Sequence, residues 1–341
     1  MKAAALKASG LGLTRNEAGT RFPHAEEAAA LEDLQQRVQG ALRTGDWDEP
    51  WEVYDLEDLS SLETTFLVEK GLMSPGFAEG TGEGRGFAVY GDETASLEIG
   101  GVDHVRLLGF RAGEELALLW SLLSLLDDHL ESTVAYAFDP CWGYLTSRPN
   151  HAGTGLRAYA TLHVPTLMLT GRLGGIALEL VTSGMALSPL WGGAGGLIQV
   201  SNLGRQGKPE IETIQEIEDI SRGIIEKERS VRKMFMRENP IQVRDHIGRA
   251  IGLAQHAWNM SFSESVNLLS AAEVGLELGL VDIPSLGAQT PFDLMRRLQP
   301  AHVVMEYMEA KQGGLESPEI DQVRAQVLRE VFSGGCVLPL K

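Results

Sequence analysis

The segment TGLRAYATLHVP, residues 154–165, constrains the fold more than any other stretch of this chain. Its apolar and polar residues alternate, which is typical of a strand with one buried face. The apolar face carries Leu156, Ala158, Ala160, Leu162 and Val164. The opposite face carries Arg157, Tyr159, Thr161 and His163. Periodicity alone leaves Arg157 with two interpretations, a solvated arginine or an arginine that contacts a ligand.

Further strand patterns precede this segment. Two short runs, 87–90 and 95–99, flank the turn residues Gly91 and Asp92, which predicts a hairpin. The apolar run LALLWSLLSLL, residues 116–126, is too short to span a bilayer. It predicts a buried helix instead.

The second half of the chain has a helical pattern. Isoleucines recur at spacings of three and four within residues 209–235, and the chain after residue 239 is almost entirely helical in pattern. Ser261 and Glu264 form the S-x-x-E arrangement that begins many helices. Runs of strands followed by runs of helices favour an α+β fold with a helical C-terminal region.

The charge balance excludes some classes of partner. The chain has 29 Lys and Arg residues against 47 Asp and Glu residues, a net charge of −18. Such a surface repels phosphate backbones and anionic lipids, so we expect neither nucleic acid nor a membrane as partner. The two cysteines, Cys141 and Cys336, form no CxxC motif and predict neither a zinc site nor a disulfide framework. Without a recognisable signal peptide, the chain is expected to be cytoplasmic.

Common catalytic motifs do not occur in this sequence. It contains no GxxxxGK[ST] phosphate loop, no HExxH and no GxSxG. The glycine cluster GGAGG, residues 192–196, could form a backbone nest for an anion or an ordinary loop. Composition and spacing therefore leave open whether the chain has an anion pocket.

The segment FDPCWGYLTSRPNHAGTGLRAYATLHVP, residues 138–165, resembles the signature region of the ATP:guanido phosphotransferases. It is closer to bacterial protein-arginine kinases, which read approximately GYLTSCPTNxGTGLRAS, than to creatine or arginine kinases. Other landmarks of the family follow in the same order along the chain. They are FPH at 22–24, LVEKGLMSP at 67–75, DHVR at 103–106, IQVSN at 198–202, IIEKER at 224–229 and GLVDIP at 279–284.

The resemblance implies three regions. A small helical N-terminal domain is expected over residues 1–75, and a larger domain with an antiparallel sheet flanked by helices over residues 76–238. Residues 239–341 would form a helical region used for dimerisation. The apolar stripe Val266, Leu269, Val274 and Leu278 also suggests a homodimer, because a monomer would leave it partly uncovered.

The departures from the family fall on its phosphate-binding residues. The N-terminal motif resembles SSRxRLARN, but this chain has Gly10 and Gly12 in place of both arginines. Gly71 replaces the histidine of VEKHLISP, and SPLWGG at 188–193 aligns with RGxxGE. Of the arginines that would clamp the phosphates, only Arg106 and Arg157 remain.

The acceptor side of the site departs as well. Relatives carry NEEDH, whose glutamate orients and deprotonates the guanidinium. This chain reads GGVDH, with Gly100, Gly101 and Val102 in place of the acidic part, and no neighbouring carboxylate is an obvious replacement. Arg148 stands where the family has a cysteine that lines the guanidinium site. A cation there should repel a guanidinium substrate.

The resemblance therefore implies a protein-arginine-kinase homologue with a degraded active site, a pseudokinase with a binding or regulatory role in protein quality control. The alternative is an active ATP-dependent kinase with unusual site chemistry. We assign no catalytic residue and no metal ligand, and we retain Arg106, Arg148 and Arg157 as remnants of a nucleotide or phosphate site. ATP with Mg is the one cofactor that the resemblance leaves open.

The C-terminal region carries one further motif. The phosphoarginine-reading motif of the relatives resembles RDxxRA, and this chain reads IDQVRA at 320–325. Asp321 and Arg324 match, and either they remain part of a phosphoarginine site or they form an ordinary i,i+3 ion pair. The expected partners are a second copy of the chain, an active paralogue, or a Clp-type unfoldase or its adaptor.

Overall fold

The computed structural model describes residues 5–204, 207–311 and 317–338. Its centre is an eight-stranded sheet, and two further pairs of short strands lie outside it. The strands are β1 (Leu6–Arg15), β2 (Trp51–Asp55), β3 (Gly86–Tyr90), β4 (Ala95–Ile99), β5 (Val105–Ala112), β6 (Phe138–Asp139), β7 (Gly143–Tyr144), β8 (Leu156–His163), β9 (Met185–Pro189), β10 (Leu197–Asn202), β11 (Val281–Asp282) and β12 (Cys336–Val337).

Helices flank the sheet and make up most of the chain after residue 209. The helices are α1 (Ala28–Thr44), α2 (Ser61–Lys70), α3 (Pro75–Ala78), α4 (Leu116–Glu131), α5 (Pro165–Leu169), α6 (Leu173–Thr182), α7 (Glu210–Glu238), α8 (Pro240–His256), α9 (Phe262–Glu277), α10 (Pro291–Arg297), α11 (Pro300–Lys311) and α12 (Ser317–Phe332). None within the described ranges is long and apolar enough to cross a membrane.

The large sheet has the order β2-β3-β4-β5-β1-β8-β10-β9, and every neighbouring pair is antiparallel. The α+β class and the antiparallel sheet are therefore confirmed. The hairpin expected at 87–90 and 95–99 is also confirmed, as β3 and β4.

The N-terminal region differs from the expected helical description. Residues 24–72 contain α1 and α2, but β1 lies in the middle of the sheet, between β5 and β8. The pattern of β1 is weak because its alternate positions include Gly10 and Gly12, which carry no side chain. Its partner strands also lie roughly a hundred residues or more along the chain, so no local turn predicts the pairing.

One face of the sheet forms the main hydrophobic core. The apolar face predicted within residues 154–165 is confirmed, since its four residues in β8 and Val164 just after it are at most 3% exposed. Leu11 and Leu13 of β1 pack in the same cluster, together with side chains of α1, α4 and α7. Because this face is covered by helices, the opposite face of the central strands is the one available for a cleft.

The C-terminal helices α8, α9, α10 and α12 enclose a second core. Val266 and Leu269 are fully buried there, and Val274 and Leu278 are half-buried. We expected a monomer to leave this stripe partly uncovered. For Val266 and Leu269 this is wrong, because α8 and α10 pack against α9 and cover them. The homodimer itself stays a prediction. At the start of α9, Ser261 accepts a hydrogen bond from the backbone N–H of Glu264 at 3.3 Å, as predicted.

A buried ionic cluster joins the sheet to these helices. The ammonium group of Lys7 in β1 contacts the carboxylate of Glu273 in α9, and both side chains are almost completely buried. His163 Nδ1 lies 3.6 Å from the other carboxylate oxygen, and its Nε2 is 2.7 Å from the Ser270 hydroxyl. Burial raises the pKa of Glu273 and lowers the pKa of His163 well below its usual value.

We expect Glu273→Gln to destabilise the protein by about 3–5 kcal/mol, because it leaves the Lys7 ammonium buried without a counter-charge. The control is Glu179→Gln, which removes an exposed carboxylate 3.5 Å from Lys227 and should cost at most about 1 kcal/mol. Chemical denaturation measures both. Equal losses in the two variants would contradict a structural role for the buried cluster.

Candidate functional site

The candidate site lies on the polar face of β5, β1 and β8. The strand register places Thr14 opposite Arg106, and Gly12 opposite Arg157. Because side chains two residues apart share a face of a strand, these groups all project from the same side of the sheet, away from the main core. The fold therefore brings together positions from three distant segments of the sequence.

Arg106, Arg148 and Arg157 line one cavity of about 370 Å³, which we call the arginine cavity. Other residues of its wall are Thr14, Ser74, Pro75, Gly76, Phe77, Glu98, Gly101, Val102, Asp103 and His151. The three arginines that the sequence singled out thus converge, although Arg148 comes from the loop that precedes β8 and the other two come from strands.

The three guanidinium groups differ in how far nearby carboxylates balance their positive charge. Arg106 Nη1 is 3.8 Å from a carboxylate oxygen of Glu98, beyond hydrogen-bonding distance. Arg157 is half-buried, and within residues 5–204, 207–311 and 317–338 its side chain has neither a hydrogen bond nor an ion pair. Burial and the nearby charge of Arg106 lower the pKa of Arg157. Arg148 is exposed and pairs with no carboxylate of the described chain.

The positive potential of the cavity acts on His151. Burial lowers the pKa of this imidazole, and the charges of Arg157, Arg148 and Arg106 lower it further. His151 is therefore held neutral at physiological pH and adds no fourth positive charge. A neutral imidazole has one N–H donor to offer to a ligand.

Glu98 is a functional candidate that the sequence reading missed. It projects from β4 opposite Arg106, is 4% exposed, and accepts a hydrogen bond from the backbone N–H of Ser74 at 2.5 Å. Burial raises its pKa, and Arg106 partly opposes this shift. A carboxylate therefore does line the cavity, although the sequence offered no obvious replacement for the lost glutamate, and whether Glu98 replaces it stays a prediction. A charged residue between Leu97 and Ile99 in a predicted strand was the available clue.

The retained Asp103 is held by its own hydrogen bonds. One carboxylate oxygen accepts from the side-chain amide of Asn16 and from the backbone N–H of Ser147, each at 2.7 Å. These bonds connect the loop after β4, the end of β1 and the loop that carries Arg148. Asp103 therefore shapes the cavity rather than standing free as a base.

A second cavity, of about 220 Å³, lies beyond Arg106 and Arg157, and we call it the tyrosine cavity after Tyr159. Tyr159 occupies the position of the serine in GTGLRAS, and its ring approaches β1 at Gly10. A Cβ atom built on Gly10 would be 2.0 Å from Cζ of that ring. No side chain can occupy position 10 while Tyr159 has this conformation.

Position 12 differs from position 10. A Cβ atom on Gly12 would lie 3.3 Å from Leu108 Cδ2 and 3.4 Å from the carbonyl oxygen of Leu107, a tight contact that small shifts relieve. The loss of the second family arginine is therefore a simple absence, whereas the first position is physically filled. Burial raises the pKa of Tyr159 to about 12, so its hydroxyl is neutral.

The glycines of the former acidic loop fit their backbone. Gly100 has a φ of +69°, and a Cβ atom there would lie 2.5 Å from the carbonyl oxygen of Gly84. Gly71 ends α2 with a φ of +81°. Gly100 stands at the asparagine of NEEDH, and the two glutamate positions are Gly101 and Val102. A Cβ atom on Gly101 would lie 3.0 Å from Phe77 Cδ2, so the positive φ of Gly100 does not account for the loss of the glutamates.

The glycine cluster 192–196 packs on the C-terminal helices. The N–H of Gly195 donates to Asn267 Oδ1 at 2.7 Å, and residues 194–196 are buried. Trp191, just before the cluster, stacks on Phe292 with 6.0 Å between ring centroids. This arrangement gives no support to an anion nest at Gly195.

Asp321 and Arg324 lie on α12, far from the arginine cavity in sequence. Arg324 is 2% exposed, and its Nε donates to the carbonyl of Leu298 at 2.7 Å. Its Nη1 donates to the carbonyl of Met260 at 3.3 Å and contacts the carboxylate of Asp321. The observed geometry is that of the i,i+3 ion pair, and a phosphoarginine-reading role stays a prediction. In the described ranges, no group of three His, Cys, Asp or Glu residues could hold a metal ion.

Two family models match this chain. The model for the ATP:guanido phosphotransferase C-terminal catalytic domain matches residues 33–231, and the model for the protein-arginine kinase McsB C-terminal domain matches residues 240–335. Both relatives described next are protein-arginine kinases. That of Halothermothrix orenii is 32% identical over 331 residues, covering 94% of this chain and 91% of its own. The protein-arginine kinase of Moorella thermoacetica is 32% identical over 335 residues, and the match covers 96% of this chain and 93% of that protein.

Solved structures with the same fold include lombricine kinase, with a TM-score of 0.60 and 18% identity over 67% of each chain. The duplicated taurocyamine kinase from Schistosoma mansoni, with bound transition state analog components, has a TM-score of 0.62 and 19% identity. That match covers 80% of this chain and 39% of the other. At such identities these structures establish the fold alone. The two family models and the full-length relatives go further: this chain belongs to the ATP:guanido phosphotransferase family, in the branch of the protein-arginine kinases.

Proposed function

We propose that this chain is a protein-arginine-kinase homologue that no longer transfers phosphate and acts as a binding or regulatory subunit. The observation that carries the proposal is the contact of the Tyr159 ring with β1 at Gly10. Gly10 lacks the side chain of the family arginine, and in this conformation the Tyr159 ring occupies the space where that side chain would begin.

The electrostatics of phosphoryl transfer support this proposal. The reaction depends on positive charge placed around the transferring group, because little covalent chemistry is required of the protein. Removing one such element costs about 10²–10³ in rate. Gly10 and Gly12 remove two arginines, and residues 188–193 supply none in place of RGxxGE. Even without additivity, the combined loss leaves little activity above background.

The acceptor side supports the same conclusion. An arginine substrate needs a carboxylate to orient its guanidinium and to take a proton. Gly101 and Val102, which stand at the two glutamate positions, cannot do this, and Arg148 adds a positive charge that opposes a cationic substrate. ATP with Mg does not fit the residues present, because Tyr159 fills part of the phosphate-binding face.

One observation favours the alternative, an active kinase with unusual chemistry. Glu98 is a buried carboxylate with a raised pKa on the wall of the arginine cavity, which is the profile of a general base. Its contact with Arg106 and its hydrogen bond from Ser74 argue for a structural role instead. The two readings make different predictions for a Glu98 variant.

The proposed role is in cytoplasmic protein quality control. A kinase-like chain without turnover can still present the family's surfaces to a second copy of itself, to an active paralogue, or to a Clp-type unfoldase or its adaptor. The helical region after residue 239, which matches the protein-arginine kinase C-terminal domain, is the part proposed to mediate such assembly.

We expect no phosphoarginine above a no-enzyme control when the protein is incubated with Mg-ATP and an arginine-rich protein substrate, because the charge and the base are both missing. Mass spectrometry under conditions that preserve acid-labile phosphoarginine measures this. Robust arginine phosphorylation that disappears in Glu98→Gln would establish the alternative, with Glu98 as the base.

We expect Gly10→Arg to destabilise the fold by about 1–3 kcal/mol, because its Cβ atom overlaps the Tyr159 ring. Tyr159→Ser should relieve this penalty, so that the double variant is more stable than the sum of the single changes predicts, with a coupling of about 0.5–3 kcal/mol. Denaturant unfolding of the four proteins measures the coupling.

Gly12→Arg is the matched control for this cycle. Its Cβ atom meets Leu108 and not Tyr159, so Tyr159→Ser should leave the cost of Gly12→Arg unchanged within about 0.5 kcal/mol. Strictly additive effects of Gly10→Arg and Tyr159→Ser would refute the contact on which the proposal depends.

A further inference from the structure

We propose that the outer edge of β2 binds an extended, cationic segment of a partner polypeptide. The segment adds to the eight-stranded sheet as a further strand and places an arginine or lysine side chain in an acidic cavity beside Asp55. Because β2 is three strands away from β5, this surface lies outside the arginine cavity. The inference therefore does not depend on whether the cleft transfers phosphate.

The first argument is the unpaired backbone of β2. This strand ends the order of the large sheet, and among the described residues it pairs with β3 alone. The N–H of Leu56 donates to the carbonyl of Arg85 at 2.9 Å, which fixes the side of the strand that faces β3. Since this direction alternates along an antiparallel strand, Val53 and Asp55 point their N–H and C=O groups outward. In the described ranges no backbone or side-chain group bonds to them.

The second argument is the regularity of this edge. Exposed edge strands usually carry a lysine, an internal proline or a bulge, each of which discourages pairing with another chain. The register of β2 with β3 runs without a shift from Trp51 to Asp55, and Pro50 precedes the strand. At the opposite edge of the sheet, β9 ends in Pro189 and contains no charged residue. β2 is therefore the edge that offers both a regular backbone and charge.

The third argument is the sign of that charge. Residues 44–69 contain nine Asp and Glu residues and no Lys, Arg or His. Glu52 and Asp55 are three positions apart on β2, so an added strand meets a carboxylate on each of its faces. Like charges opposite each other on neighbouring strands are destabilising, which disfavours pairing with β2 of a second copy. A cationic segment has the complementary charge.

The hydroxyl of Tyr54 holds Glu52 at the edge. It donates to Glu52 Oε2 at 2.6 Å, and this bond is the main reason that the pKa of Tyr54 is raised to about 12. The carboxylate is thereby fixed beside the outer backbone of β2. A cationic side chain on the same face of an added strand would lie within reach of it.

The acidic cavity supplies a second point of recognition. Its volume is about 310 Å³, and its wall includes the carboxylates of Glu32, Asp55, Glu57 and Glu83. None of the four forms an ion pair with a described residue. Arg85 also lines the cavity, but its Nη2 donates to the carbonyl of Phe77 at 2.9 Å and its guanidinium lies 4.4 Å from the centroid of the Phe77 ring.

Asp55 belongs to both features, since it ends β2 and lines the acidic cavity. Strand addition commonly combines main-chain hydrogen bonds, which provide affinity, with a pocket that selects alternate side chains. An arginine or lysine near the end of the added strand fits that arrangement here. The partner is therefore defined by its extended conformation and by its positive charge.

The test uses a ten-residue peptide in which arginine and valine alternate, measured by calorimetry at physiological ionic strength. One control peptide has glutamate in place of arginine. The other keeps every arginine but is N-methylated at its six central residues, so it has the same charge without the N–H groups that pair with a strand. We expect both controls to bind at least tenfold more weakly than the arginine peptide.

Hydrogen exchange followed by NMR locates the peptide on the wild-type protein. The N–H groups of Val53 and Asp55 should exchange at least tenfold more slowly when the arginine peptide is bound, because they become hydrogen-bonded. The N–H of Leu56 already donates to Arg85 and serves as the internal reference, with little change. This measurement needs no variant, so it decides the site even if a substitution in β2 disturbs folding.

Two variants separate the backbone from the charge. Val53→Pro removes an outward N–H, a position where edge strands tolerate proline, and should weaken binding at least tenfold. Glu57→Lys changes the charge of the acidic cavity and should weaken binding at least fivefold. Glu226→Lys makes the same change of charge at an exposed position of α7 and should leave the affinity unchanged.

Absence of binding, equal binding of the N-methylated or the glutamate peptide, or unchanged exchange at Val53 and Asp55 would each overturn the inference. So would equal losses in Glu57→Lys and Glu226→Lys, because attraction to the overall negative charge would then explain the affinity. These outcomes leave the proposed loss of activity standing, since that proposal fails only if arginine phosphorylation is observed.

Discussion

The ring of Tyr159 lies against the backbone of β1 at Gly10, where a Cβ atom would come within 2.0 Å of Cζ. β1 is the central strand of the sheet, so its cleft-side positions form the floor of the site. The Tyr159 ring can lie in this position only because residue 10 has no side chain. Where the relatives have an arginine on β1, this chain therefore has an aromatic ring from β8. The cleft retains the family's backbone while its chemistry changes.

The loss of the two arginines on β1 also changes the balance among the charges that remain in the cleft. In an active kinase of this family, arginines would be compensated by the phosphates that they bind. Here Arg106 has a distant partner in Glu98, and Arg157 has none in the described chain. The addition of Arg148 makes the local imbalance larger, and the lowered pKa of His151 is one physical consequence of it.

The local features of the fold could be predicted from the sequence because they depend on neighbouring residues. The alternation in 154–165, the hairpin of β3 and β4, and the helix within 209–235 are all of this kind. The pairing of β1 could not be predicted from such patterns, since its partners are distant and its glycines interrupt the alternation.

The site residues also fall into two groups, those that a sequence motif indicates and those whose contacts depend on segments far apart in the sequence. The convergence of Arg106, Arg148 and Arg157 followed from the resemblance to the family, and their cavity agrees with it. The packing of Tyr159 on Gly10 and the position of Glu98 opposite Arg106 required the strand register. The burial of Arg324 depends on carbonyl groups from two other segments of the C-terminal region, which no local motif reveals.

The central claim is that the lost arginines, with the Tyr159 ring beside Gly10, no longer support binding of the phosphates of ATP. Isothermal titration calorimetry of the wild-type protein with Mg-ATP tests it most directly, because it detects nucleotide binding whether or not turnover follows. The account predicts no detectable binding up to millimolar Mg-ATP. Saturable micromolar binding would contradict it.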